Sequence, residues 1–224
     1  MTPHTLVIQE PAFPAAQLFL LFHGAGGTAQ AMSPLAARLT EEFPDAMVVA
    51  VAAPEPSVGA TGFQWFDDHS VTDSGLAAGV TGAQPVFEAC IRHWQRAAGA
   101  QAAATALIGF GQGAVMALES SKSEKPLCAR VIAISGRYAQ LPESVAAELT
   151  FHFLHGKEDT VIPYSHTVQA AHHLRDLGAD ITAEVVPFIA HELHTDLIDI
   201  NMTQLTTHVP KRIWDDAMKA SPAA

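Results

Sequence analysis

The sequence predicts one α/β domain over residues 1–224, built on an open, mostly parallel sheet flanked by helices. Two observations carry that prediction. Short, apolar, β-rich runs recur along the chain, several of them apolar at every position, as expected of parallel strands covered on both faces. Between them lie stretches whose apolar residues fall at helical spacing. Their alternation implies right-handed crossovers between parallel strands, and 224 residues are enough to bury a sizeable core.

In order, the strand candidates are TLVIQ, LFLLFHG, MVVAVAA, TALIGF, RVIAIS, TFHFLHG and ITAEVVPF. Residues 29–43 read as the first helix. Residues 55–82 are polar and glycine-rich, and read as a long loop, a lid or pocket wall. In residues 83–98, Val86, Cys90, Ile91, Trp94 and Ala97/Ala98 recur every three or four positions and define one apolar helical stripe. Residues 114–122 and 164–177 read the same way, the latter closed by Gly178 as a C-cap.

Composition narrows the function. Lys and Arg number 12 against 23 Asp and Glu, a net charge of -11 that repels a phosphate backbone and argues against nucleic acid as a partner. Two cysteines, Cys90 and Cys128, are too few for a disulfide framework, and both are expected reduced. The first residues have neither a basic nor an apolar leader pattern, and LFLLF is too short to span a bilayer, so a cytoplasmic protein without a membrane span is expected. Oligomeric state is not legible.

Ligand sites in open parallel sheets lie beyond the carboxyl ends of the strands. After LFLLF comes His23-Gly24-Ala25-Gly26-Gly27, close to the glycine-rich loop that lends a backbone N–H to an oxyanion hole. TALIGF runs into Gly109-Phe110-Gly111-Gln112-Gly113, a Gly-x-Ser-x-Gly strand-to-helix turn with glycine in place of the serine. Asp159 follows TFHFL, and His191 follows EVVPF. Elbow, acid, histidine is the chain order of the α/β-hydrolase fold. In that geometry Asp159 orients His191, His191 acts as general base and then acid, and the backbone N–H groups of Ala25 and Gln112 receive the oxyanion.

Other residues are weaker candidates. Ser135 ends RVIAIS at a neighbouring strand terminus but lacks an elbow. His191 and His194 form H-E-L-H, one residue short of the H-E-x-x-H zinc spacing, so no metal is expected. His152, His172 and His173 have no partner in sequence. GFGQGA also fits the dinucleotide fingerprint G-x-G-x-x-A, but the next strand ends in Ser135-Gly136-Arg137 without the acidic residue that holds a ribose.

Across almost the whole chain the sequence resembles the YpfH-type bacterial esterases, within the phospholipase/carboxylesterase family that includes acyl-protein thioesterases. The resemblance runs through LLFHG at 20–24, FPDAMVVAVAAPEPS, QWF at 64–66, ATALIGFGQGAVMALES, RVIAISGRYAQLPES, HGKEDTVI, AH at 190–191 and VPKRIWDDAM. It implies a serine carboxylesterase acting on small acyl esters or thioesters without a cofactor. The family's elbow reads GFSQGA, so Gly111 stands at the nucleophile position, and Asp159 and His191 match the other two triad positions. Trp65 and Phe66 match a segment near the acyl pocket. Ala190 replaces the glycine that usually precedes the histidine.

Glycine has no oxygen with which to attack a carbonyl, so this chain is expected to bind acyl ligands and turn them over poorly. Whether Gly111 is natural or introduced is not legible. A non-catalytic acyl-ligand binding protein is the alternative reading, and a dinucleotide-binding oxidoreductase a weaker one.

Overall fold

The seven apolar runs form the seven strands of one sheet, ordered β1-β3-β2-β6-β7-β8-β9. These are β1 (Leu6–Gln9), β2 (Gln17–Phe22), β3 (Ala46–Val51), β6 (Thr105–Phe110), β7 (Arg130–Ile134), β8 (Thr150–Gly156) and β9 (Asp180–Val186). Only β1 is antiparallel to its neighbour. A two-stranded ribbon, β4 (Glu55–Pro56) with β5 (Phe63–Gln64), lies outside the sheet. The computed structural model describes residues 4–57, 61–67 and 73–220.

The period of two sorts the strand residues onto two faces. Leu18, Leu20 and Phe22 of β2 join Leu107, Val131, Phe151 and Phe153 in one core. Phe19 and Leu21 join Val48, Ile108, Ile132 and Leu154 in the other. The first core is covered by α2 (Asp73–Ala98), α3 (Gln112–Ser120) and α4 (Ser165–Asp176). Over the second lie α1 (Ser33–Glu42) and α5 (Thr195–Thr207). A last helix, α6 (Lys211–Ala220), follows.

Three elements differ from the sequence reading. The segment 55–82, expected as loop, is helical from Asp73 onward, while the parts of the expected lid at 58–60 and 68–72 lie outside the described residues. Gly75, Gly79, Gly82 and an internal Pro85 lower helix propensity there, but burial of Val80 and Phe87 overrides it; a fully buried Phe contributes about 1.5–3 kcal/mol. The buried stripe of α2 therefore runs through Val80, Phe87, Ile91 and Ala98, and Val86, one position off it, is 58% exposed. Neither α5 nor α6 was expected. The apolar stripe of α5, Leu197, Ile198, Met202 and Leu205, is interrupted by a buried Asn201 and diluted by threonines.

From β2 the chain first turns outward to β3, then returns to β6 on the other side of β2. That reversal opens a crevice at the carboxyl ends of β2 and β6, the place where doubly wound sheets hold ligands. The glycine-rich loop after β2 and the elbow after β6 meet there.

Candidate active site

Sterics dictate the elbow. A Cβ on Gly109 would fall 2.3 Å from the Ala114 nitrogen, and one on Gly113 would fall 2.2 Å from the Phe22 carbonyl oxygen. Only glycines at these two positions let α3 leave β6 so sharply while pressed against β2. Between them Gly111 has φ 54° and ψ -120°, a positive-φ conformation that would cost a side-chain-bearing residue about 1–3 kcal/mol. Its N–H donates to the Ile134 carbonyl at 3.0 Å, and its own carbonyl accepts from Val115 N at 3.1 Å, fixing the turn from both sides. A Cβ on Gly111 would lie 3.2 Å from His191 Nε2 and 3.4 Å from Gly24 Cα.

Asp159 and His191, 32 residues apart in sequence, meet beside that turn: His191 Nδ1 donates to Asp159 Oδ2 at 2.7 Å. The other carboxylate oxygen accepts the backbone N–H groups of Val161 and Ile162, at 2.9 and 2.8 Å. Burial alone would push the Asp159 carboxyl up; the hydrogen bonds from His191, Ile162 and Val161, with the charge of His191, outweigh it and hold it below the usual carboxylate range. An ionised Asp159 commits the Nδ1 proton to itself and leaves Nε2 with the lone pair. Phe110 packs obliquely on the His191 ring at 4.8 Å and limits its swing.

His155, four residues before Asp159 and near the end of β8, went unassigned in the sequence although it opens the same H-G-K-E-D stretch. Its Nε2 faces the Ile162 carbonyl at 2.7 Å and lies 3.2 Å from Asp159 Oδ2, while Nδ1 meets the Thr167 hydroxyl at 2.8 Å. A carbonyl only accepts, so Nε2 carries the proton and the hydroxyl donates to Nδ1. Burial lowers the His155 pKa despite the carboxylate nearby, so the ring is neutral and supports the acid's loop as a fixed donor.

The glycine-rich loop after β2 is anchored by His23. Ala53 N donates to its Nε2 at 3.0 Å, which makes Nε2 the acceptor and places the proton on Nδ1, directed at the Gly24 carbonyl 2.7 Å away. Burial lowers this pKa as well. Two further bonds, Gly26 N to the Phe63 carbonyl at 2.9 Å and Phe63 N to the Gly27 carbonyl at 2.8 Å, stitch the loop to β5. Among the described residues no acceptor meets the backbone N–H of Ala25 or of Gln112, the first residue of α3. The Gln112 N–H, at the start of α3, favours negative charge.

Gln112 has a second task that the sequence did not announce. Its side-chain oxygen accepts Trp65 N and its amide donates to the Phe66 carbonyl, both at 3.0 Å, so the elbow holds the segment 65–66 directly. Trp65 Nε1 donates to the His23 carbonyl at 2.9 Å. Both aromatic side chains are buried, and Trp65 packs edge-on against Phe22 and Phe87 at 5.5 and 5.3 Å. They back the site from the α2 side.

The remaining candidates lie elsewhere or point elsewhere. Ser135 is wholly buried at φ 49°, with no partner for its hydroxyl among the described residues. His194 caps α5, its Nδ1 accepting Asp196 N at 3.2 Å. His172 faces Arg175, His173 donates to the Pro142 carbonyl, and His152 is buried under Thr182. Among the described residues no helix is long and apolar enough to cross a membrane.

The sequence profile of the phospholipase/carboxylesterase family matches residues 3–211. Over 212 residues, 95% of this chain and 91% of the relative, the sequence is 42% identical to Esterase YpfH of Escherichia coli strain K12. The crystal structure of esterase PE8 superposes with a TM-score of 0.77 at 29% identity, covering 91% of this chain and 97% of that one. A carboxylesterase from Mesorhizobium loti shares the fold at 17% identity, with a TM-score of 0.73 over 91% of this chain and 99% of its own.

Proposed function

The chain belongs to the phospholipase/carboxylesterase family of α/β-hydrolases, and from that premise we propose that its crevice receives small acyl esters or thioesters at a triad whose nucleophile position is Gly111. One observation carries the reading. The point at which a serine at 111 would place its Cβ is 3.2 Å from His191 Nε2, while the same imidazole is held by Asp159 at 2.7 Å.

In the serine form, His191 takes the hydroxyl proton as Oγ attacks the acyl carbon. The carbonyl oxygen gathers charge against the N–H groups of Ala25 and Gln112, and His191 then protonates the departing alcohol or thiol. Trp65 and Phe66 wall the acyl side. With glycine at 111 no acyl-enzyme forms there, so this chain binds substrate and turns it over slowly.

The test is Gly111→Ser, assayed with short-chain p-nitrophenyl esters and a fluorophosphonate probe. Turnover and stoichiometric labelling are expected; a folded variant with neither overturns the reading. Gly111 itself favours a second reading, a non-catalytic acyl-ligand binding protein. Micromolar binding of an acyl ester by the unaltered chain, with no hydrolysis after long incubation, is its signature.

A further inference from the structure

We propose that this chain, as it stands with Gly111, hydrolyses activated acyl esters and thioesters by a single displacement, with a water molecule in the place of the serine side chain and His191 as its base. The proposal rests on the acyl-ester reading of the crevice and goes beyond it in the chemistry. Replacing a nucleophile by glycine removes one reactant and leaves the remaining machinery in place. His191 Nδ1 is committed to Asp159 at 2.7 Å, and the tautomer this fixes leaves Nε2 as an acceptor. The point of the missing Cβ lies 3.2 Å from Nε2 and 3.4 Å from Gly24 Cα. A water cannot sit at that point, one bond length from Gly111 Cα, but displaced outward from it, where a serine hydroxyl would lie, it can donate to Nε2 within the usual hydrogen-bonding range of about 2.7–3.2 Å. The positive φ that would strain another residue costs glycine nothing extra.

The step balances without any co-reactant. The water oxygen bonds to the acyl carbon as its proton passes to His191 Nε2, and the carbonyl π pair moves onto oxygen, facing the N–H groups of Ala25 and Gln112. On collapse the carbon–oxygen or carbon–sulfur bond to the leaving group breaks, its electron pair departs with that group, and His191 returns the proton to it. A carboxylic acid and an alcohol or thiol leave. Water has no second covalent step to divide the barrier, so the substrate class is the one with a readily expelled leaving group: aryl esters and thioesters.

The experiment compares the unaltered chain with His191→Ala, Asp159→Asn, Gly111→Ala and Gly111→Ser, on p-nitrophenyl acetate and S-phenyl thioacetate, with intact-protein mass after acid quench. The unaltered chain is expected to exceed His191→Ala by about 10²–10⁴-fold, the span of general-base catalysis, with Asp159→Asn also far slower. Gly111→Ala puts a methyl group 3.2 Å from Nε2, crowding the water away from its base, and supplies no nucleophile, so it should fall to the His191→Ala rate while keeping the native circular dichroism. No acyl adduct should appear on the glycine chain, whereas Gly111→Ser should show one. Absence of a rate in the glycine chain, a rate unchanged by His191→Ala or matched by folded Gly111→Ala, or an acyl adduct on the glycine chain each overturns the proposal. If Gly111→Ala does not fold, His191→Ala and the adduct measurement still decide. Turnover and labelling in Gly111→Ser alongside any of those results leaves the esterase reading standing; a folded Gly111→Ser that does neither overturns both.

Discussion

Two aspartate–histidine pairs at opposite ends of the sheet make an instructive contrast. Asp159 and His191 meet at 2.7 Å beyond the carboxyl ends of β8 and β9, while Asp180, at the start of β9, accepts His208 Nε2 at 3.0 Å. In both pairs the histidine side chain is 20% exposed, and in both burial pushes the carboxyl up but hydrogen bonds pull it lower. Exposure and carboxylate acidity therefore do not tell a site from a strut. The orientation of the imidazole and its surroundings do. His191 spends Nδ1 on its acid and keeps Nε2 facing the elbow at Gly111, whereas His208 spends Nε2. Asp180 also takes the Thr150 hydroxyl at 2.7 Å and Lys211 N at 3.0 Å, tying the starts of β8 and α6 together.

The largest expected effect that sharpens this contrast is Gly111→Ser, which should raise turnover of p-nitrophenyl acetate by at least about 10³-fold, since the nucleophile and its base act as a unit. In that serine form Asp159→Asn should lower kcat by roughly 10²–10⁴-fold. Asp180→Asn should leave kcat/KM within about twofold; a large loss there would break the distinction between the pairs.

Stability should respond in the opposite sense. Asp180→Asn should cost about 1–3 kcal/mol in urea unfolding at neutral pH, because charge-assisted bonds from Thr150, His208 and Lys211 are weakened. The folded carboxyl is depressed below its unfolded value near 3.9, so its contribution is present above that pH and is lost as pH falls through the folded value. The gap between parent and variant should therefore close in acid.

His152, at the same end of the sheet, is pushed down to about 3, first by burial and then by the charges of Arg130 and His208. The unfolded chain takes up this proton near pH 6.5 and the folded one does not. Stability should thus be full above that pH and fall on acidification by up to about 1.4 kcal/mol per pH unit from this residue. His152→Gln should flatten the urea midpoint between pH 6.5 and 4, and an unchanged slope would place the acid sensitivity in other groups. The smallest effect belongs to Trp65→Phe. Losing the Nε1 bond to the His23 carbonyl should cost about 1 kcal/mol, a drop of roughly 2–4 °C in the thermal midpoint by calorimetry.

Much of the candidate site was legible because its constraints are local or ordinal. Gly109 and Gly113 are spaced as the elbow's sterics require, and Asp159 and His191 follow in hydrolase order at strand ends. Less of the helical layer was legible. Gly75, Gly79 and Gly82 made the first turns of α2 read as loop, because the burial that stabilises them comes from the sheet rather than from neighbours in sequence. The expected stripe through Val86 missed Phe87 and Val80 for the same reason. His155 sat in a quoted motif without a role, since its partners, Thr167 and Ile162, become neighbours only when the loop after β8 folds back.

The sequence by itself determined the alternation of strands and helices, the crevice at the strand ends and the chemical gap at Gly111, because periodicity, glycine sterics and the absence of a hydroxyl are properties of residues in line. Only the tertiary structure decided which aspartate meets which histidine and through which ring nitrogen. It also decided that Gln112 braces Trp65 and Phe66, and that the empty side-chain position at 111 faces His191 Nε2. Those are distances between segments separated by tens of residues, set by how β8, β9 and α5 pack, and no local pattern encodes them.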